Sequence, residues 1–112
     1  MAAFSISNIQ STPRRVAAGG IVMVSADFRA ALTGLYGTPG TSIQIAIYDP
    51  VGTNVVSLTG MTASATGQYY YLYATATSLI PGEYTLQIQC VDGGNTSRIR
   101  TDPGDPANLI VN

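Results

Sequence analysis

Histidine, tryptophan and lysine are absent from this chain of 112 residues, and Cys90 is its only cysteine. Without histidine there is no Ser-His-Asp triad, no histidine metal centre and no imidazole acid–base. One cysteine makes no disulfide within the chain, so this is not a stapled secreted domain. Charge is scarce as well. Only 10% of residues are Asp, Glu or Arg, the net charge is −1, and the five cations are all arginines. Nothing in that balance suits a phosphate backbone, so nucleic acid is not an expected partner. The opening MAAFSISNIQST has no basic n-region and no long apolar core of a signal peptide. No stretch approaches the ~20 apolar residues of a membrane span, so no membrane partner is expected either. A chain reading this way is expected to be made and kept in the cytoplasm unless an assembly carries it elsewhere.

What is present is β-sheet chemistry. Thirteen threonines and seven tyrosines favour strands, while twelve glycines and six prolines interrupt any helix. The length suits one domain over residues 1–112. Apolar residues recur with a period of two: Phe4 and Ile6, then Val22, Val24, Ala26 and Phe28, then Ile43, Ile45 and Ile47. Asp49-Pro50-Val51-Gly52 has the composition of a type I turn that returns the chain into residues 54–58. A strand from Gln68 runs through four tyrosines, and Pro81-Gly82 turns into Tyr84, Leu86, Ile88 and Cys90. Asp92-Gly93-Gly94-Asn95 turns again, and Leu109-Ile110-Val111 reads as a last strand. Residues 33–41 and 96–106 are the least regular. The expectation is all-β: an antiparallel sandwich of about seven strands.

The succession GGIVMVSADF, IQIAIYDPVGTNVV, TGQYYYLYAT and PGEYTLQIQCVDGG resembles bacterial and phage immunoglobulin-like domains of the macroglobulin or fibronectin sort. The resemblance spans roughly residues 16–95. It implies a β-sandwich with a role in adhesion or particle architecture, and it supplies no catalytic residue. Three immunoglobulin hallmarks are missing: the core tryptophan, the cysteine pair, and a tyrosine at the usual corner distance from the second cysteine, because Tyr84 precedes Cys90 by six positions.

Reactive constellations are thin. Of the acids Asp27, Asp49, Glu83, Asp92, Asp102 and Asp105, several stand in turn signatures that explain them without chemistry. Cys90 shares a strand face with Leu86 and Ile88 and reads as a small core hydrophobe. No base stands ready to activate it, so the expectation is a protein without enzymatic activity and with no cofactor. Calcium is the one metal to consider. Asp92, Asn95, Asp102 and Asp105 supply oxygen ligands if the two irregular loops meet at one end of the sandwich, although their spacing fits no EF-hand.

The anomaly is apolar residues on both faces of two strands. With Tyr69, Tyr71 and Tyr73 turned inward, Tyr70 and Leu72 fall on the outside, beside Ile21 and Met23 of the neighbouring strand. A sandwich strand facing water carries polar residues there. Either a loop of the same chain covers these four, or a partner does, and the low charge favours a partner. The interface expected from sequence is therefore Ile21, Met23, Tyr70 and Leu72, with the loop residue Tyr36, and with Arg14 and Arg15 pairing acids on a neighbour. The resemblance and this interface lead to one expectation of function. It is a phage virion component that decorates or cements the capsid, working as a homo-oligomer or in a high-symmetry assembly with other capsid or tail proteins. The alternatives are a tail or neck position, or a carbohydrate- or cell-surface-binding module of a larger protein in which Tyr36 stacks on a sugar.

Overall fold

In a computed structural model the chain is described from Phe4 to Asn112. Ten strands form two sheets: β1 (Phe4–Thr12), β2 (Arg15–Val16), β3 (Ile21–Ala30), β4 (Ser42–Tyr48), β5 (Asn54–Gly60), β6 (Thr62–Ala65), β7 (Gln68–Ala74), β8 (Gly82–Asp92), β9 (Asn95–Arg100) and β10 (Leu109–Val111). One sheet has the order β1-β3-β7-β6. The other has the order β2-β10-β8-β4-β5, and β9 pairs with β8 alongside β10. Every pairing is antiparallel except β2 with β10.

Alternation makes the core. Val22, Val24, Ala26 and Phe28 of β3 and Tyr73 of β7 face Ile43, Ile45 and Ile47 of β4, Tyr84, Leu86, Ile88 and Cys90 of β8, and Leu109 and Val111 of β10. Tyr69 and Tyr71 pack on this core from β7, so the expected inward tyrosine triplet is there, and Tyr69 meets Phe28 edge-on at 5.5 Å. The Asp49–Gly52 turn closes as its composition implies: the Gly52 amide donates to Asp49 O at 3.0 Å, and Gly52 takes φ +91°.

Three strands escape the sequence pattern. β2 is two residues long, β6 is exposed throughout, and β9 fills the first half of the stretch expected to be irregular. None of them alternates cleanly, because each lies at an edge with little to bury. β1 also runs well beyond the alternating Phe4 and Ile6, to Thr12. It passes a bulge between Ser7 and Gln10, where Asn8 adopts φ +52°.

A corner tyrosine is present after all. Tyr84, fully buried, donates its hydroxyl to Ile80 O at 2.7 Å across the Pro81-Gly82 turn. This is the bond that ties such a corner to the backbone upstream. Its distance to Cys90 concealed it, since the bond depends on the turn and not on a cysteine.

Candidate functional site

The outer face of the four-stranded sheet is built by register. Met23 stands between Thr12 of β1 and Leu72 of β7; Ile21 is opposite Ala74; Ser25 lies between Gln10 and Tyr70, and Tyr70 is opposite Thr62 of β6. Ile21 is 60% exposed, Leu72 57% and Met23 37%, while Tyr70 is half-buried. No loop among the described residues shields these side chains, so the covering-loop alternative is not what the fold adopts. Charge is missing around them for a structural reason. Between Asp49 and Glu83 the sequence has no charged residue, and that segment supplies β5, β6 and β7.

Farther along the same sheet the surface turns polar. Asn8 Nδ2 donates to Asp27 Oδ2 at 3.1 Å, and Gln10 Nε2 donates to Asn8 Oδ1 at 3.0 Å. Tyr36 belongs to this end and not to the apolar patch. Its hydroxyl donates to Asp27 Oδ2 at 3.4 Å, and the Arg29 guanidinium lies 3.9 Å above its ring. One stacking face of Tyr36 is therefore already taken, which weakens its assignment to a sugar.

The β3–β4 loop that carries Tyr36 is fastened at several points. Gly34 N donates to Ala30 O, Ala30 N to Leu35 O, Arg29 Nη1 to Gly34 O and Gly37 N to Phe28 O. Gly67, at φ +73°, closes against its base, where an added Cβ would meet Phe28 O at 2.6 Å and Gly37 N at 2.9 Å. Out of this loop stand Leu32 and Leu35, 92% and 67% exposed. Sequence reasoning missed both. The signal available was a pair of leucines in a glycine- and threonine-rich stretch with no strand periodicity to bury them.

The two N-terminal arginines differ in use. Arg14 Nε donates to Asn108 O at 3.2 Å, and its charge lies near Glu83. The parallel pairing of β2 with β10 brings it there, so part of its hydrogen-bonding capacity is used within its own chain. Arg15 is exposed.

The calcium expectation required two loops at one end, and they lie at opposite ends. Asp92 and Asn95 face each other at the start of the β8–β9 hairpin. β9 then carries the chain along the sheet before Asp102 and Asp105, about 17 Å of strand at ~3.3 Å per residue. The four ligands do not converge, and among the described residues no group of three His, Cys, Asp or Glu is placed to hold a metal. Two of the four side chains hold backbone instead. Asp92 Oδ1 accepts the Gly40 amide at 2.8 Å and Asp105 Oδ1 the Ala107 amide at 2.8 Å.

A recess of about 480 Å³ between the Asp49 turn and the β9–β10 loop is lined by Asp49, Glu83, Arg100 and Asp102. Two of its acids, Asp49 and Glu83, are engaged by backbone. Asp49 Oδ1 accepts the amides of Val51 and Thr53, and both Glu83 oxygens accept Gly104 N at 2.9 Å. That amide, followed by the Asn108 side chain and the Arg14 charge, holds the Glu83 carboxyl below its ordinary range. Asn108, fully buried, donates to Glu83 and to Asp102 O and accepts from the Thr101 hydroxyl. This network fastens the β9–β10 loop. Burial raises the Cys90 thiol, against a smaller lowering by its hydrogen bond to Ser97, so Cys90 keeps its proton and packs as a core side chain.

No family model matches the chain, and no curated protein sequence matches it. Among solved structures it is similar to the crystal structure of the Lin-41 filamin domain, at 23% identity and a TM-score of 0.58, over 100% of this chain and 95% of that one. The fold is thus an immunoglobulin-like β-sandwich of the filamin type. The immunoglobulin-like sandwich expected from the sequence is thereby shown, while the likeness carries no indication of a bacterial or phage source. No helix of the described residues is long and apolar enough to cross a membrane.

Proposed function

We propose that this chain is a non-enzymatic structural protein that docks on a neighbouring protein through the outer face of β3 and β7, within a virion whose capsid it decorates or cements. The observation that carries the reading is the pairing of exposed Met23 and Leu72 beside exposed Ile21, on a face that no loop among the described residues covers. Such a patch amounts to a few hundred Å². A stable complex of two proteins buries about 800 Å² on each, so one such contact is weak by itself. Repetition on a symmetric particle makes weak contacts effective, which is why a capsid setting suits it. One face of the Tyr36 ring is taken by Arg29, which weighs against the carbohydrate-binding alternative.

The test is a Met23→Ser/Leu72→Ser variant. It is expected to stay folded, with stability within about 1 kcal/mol of the parent, as exposed strand substitutions do. Its solubility limit should rise and its binding of a hydrophobic dye should fall. Unfolding of this variant would make the two residues core and end the reading. For the virion setting the arbiter is the gene: a free-standing frame among head and tail genes supports it, while a longer frame with an upstream signal peptide overturns it.

A further inference from the structure

A strand at the rim of an antiparallel sheet turns the amide and carbonyl of every second residue outward. β9 is such a strand. Only β8 pairs with it, in unbroken register from Asp92↔Asn95 to Gln87↔Arg100. The Thr101 amide donates to Leu86 O at 2.9 Å, which fixes the alternation. Asn95, Ser97 and Ile99 therefore bond β8. The amides and carbonyls of Thr96, Arg98 and Arg100 face away, with no hydrogen-bond partner among the described residues. We propose that this edge takes up an extended segment of a partner protein as an added strand, one that alternates aliphatic with acidic residues. It is a second docking site, on the other sheet from Met23 and Leu72.

A regular row of unpaired backbone groups is complementary to another strand. The other rims offer no such row: β2 is two residues long, β1 is bulged between Ser7 and Gln10, and β5 and β6 are bulged as well. Exposed aliphatics such as Val51 and Ile80 lie outside strands and bring no row with them. Side chains then set the sequence of the incoming segment. Arg98 and Arg100 leave the edge open, because both are laid back across the outer face of the sheet. Arg98 Nε and Nη2 donate to Gln89 Oε1 at 2.9 and 2.7 Å, and the Arg100 guanidinium lies 4.1 Å above the Tyr48 ring. Neither forms an ion pair among the described residues, and Asp49 and Glu83, which line a recess with Arg100, already accept backbone amides. Acids on that face of the added strand are therefore matched by charge. On the opposite face Ile99, 39% exposed, stands with Ile6 and Ile9 of β1 around a recess of about 340 Å³ between the rims of the two sheets. Aliphatic side chains suit it, and Asp102 and Asp105, which also line it, disfavour acids on that side.

The test is an NMR titration of the intact chain with a seven-residue peptide of alternating valine and glutamate, blocked at both ends. Binding with a Kd of roughly 0.1–1 mM is expected, the range of small contacts. Shifts should centre on residues 96–100, and the amides of Thr96, Arg98 and Arg100 should exchange with solvent about fivefold more slowly when bound. In an antiparallel pair the glutamate amides point at β9 and the valine amides away; in a parallel pair the reverse holds. Methylating one set of peptide amides should therefore abolish binding, and methylating the other should spare it. Lysine in place of glutamate should weaken binding about tenfold or more. Arg98→Pro removes one outward amide and spares the pairing with β8, as proline does where an edge N–H faces out, so it should abolish binding in a chain still folded by circular dichroism. Arg98→Ala keeps the amide and should cost only about threefold. Where Arg98→Pro does not fold, the methylated peptides on wild type decide. No binding at about 2 mM peptide overturns the proposal. So does binding that both methylated peptides retain, or equal binding of the lysine peptide. Shifts centred on Met23 and Leu72 also overturn it, while leaving the docking face of the preceding section standing.

Discussion

Removing one oxygen from Tyr84 isolates the energetics of the corner. In Tyr84→Phe the ring stays in the core, fully buried as before, and only the 2.7 Å bond from its hydroxyl to Ile80 O is lost. A net hydrogen bond contributes about 0.5–1.5 kcal/mol, and an acceptor left without its donor costs about 1–3 kcal/mol. The expected loss is therefore about 1–2 kcal/mol. In urea unfolding this appears as a lower midpoint with an unchanged slope. On heating, each kcal/mol lowers the midpoint by about 4–8 °C in domains of this size. Tyr73→Phe is the control. Its ring is nearly as buried, at 7% exposure, but it closes no turn, and it should cost under about 0.5 kcal/mol. Burial raises the phenol of both tyrosines above its ordinary value, 10.0. The stability this represents is complete below the pH at which an unfolded tyrosine ionises. It is lost as pH climbs from there through the folded value, because only the unfolded chain releases the proton early. Tyr84→Phe should flatten that alkaline decline as well. Equal costs for the two variants, or no measurable cost for Tyr84→Phe, would refute the corner as a stabilising bond.

The acid limb belongs to Glu83. Its carboxyl is held below the ordinary 4.5, first by the Gly104 amide and then by Asn108, so its contribution is present above that value and lost as pH falls through the folded one. Glu83→Gln should lower stability at pH 7 and reduce the slope of stability against pH between about 5 and 2, as read by urea midpoints across that range. A parallel acid limb in the variant would exclude this role. Asn108→Ala removes a fully buried amide that accepts from the Thr101 hydroxyl and donates to Glu83 and to the Asp102 carbonyl. It should cost about 2–3 kcal/mol by equilibrium unfolding, and a loss under ~1 kcal/mol would mean that water replaces the amide.

Sequence reading succeeded where burial is one-sided. β3, β4, β8 and β10 alternate because one face of each meets the core, and their inward residues follow directly from Val22, Ile43, Tyr84 and Leu109. It failed at the margins. Asn95–Arg100 buries almost nothing, so the NTSRIR stretch has no period to find, yet it pairs with β8 over six residues. That strand is also why the Asp92 and Asp102 loops do not meet: the β8–β9 hairpin carries them apart. The outer-face patch was legible because register follows from alternation, which put Ile21, Met23, Tyr70 and Leu72 on one side. Leu32 and Leu35 were not legible, since their projection depends on hydrogen bonds between Arg29, Ala30, Gly34 and Leu35 that no periodicity encodes. Arg14 illustrates the same limit, as its partner is more than ninety residues away.

The scarcity of charge is a property of one flank. β5 and β6 each form one edge of a sheet, and together with β7 they come from the uncharged segment between Asp49 and Glu83. Proteins commonly guard such edges with lysine or proline, and these strands have neither. They are guarded by shape. β5 is bulged between Val56 and Thr59 against β4, and β6 is bulged at Ser64 against β7, whose Gln68 carbonyl accepts the Ser64 hydroxyl. The Asn54 amide also occupies the Val56 carbonyl at 2.9 Å. A bulged edge offers a poor template for another strand. A partner approaching this flank therefore finds no regular row of backbone groups to pair with, but it does find Met23 and Leu72 side by side on a regular, exposed stretch of β3 and β7. Under the proposed docking, the missing charge leaves the face open to an apolar partner and the bulges keep β5 and β6 from pairing with another strand, so contact would fall on the sheet's face and not on these edges.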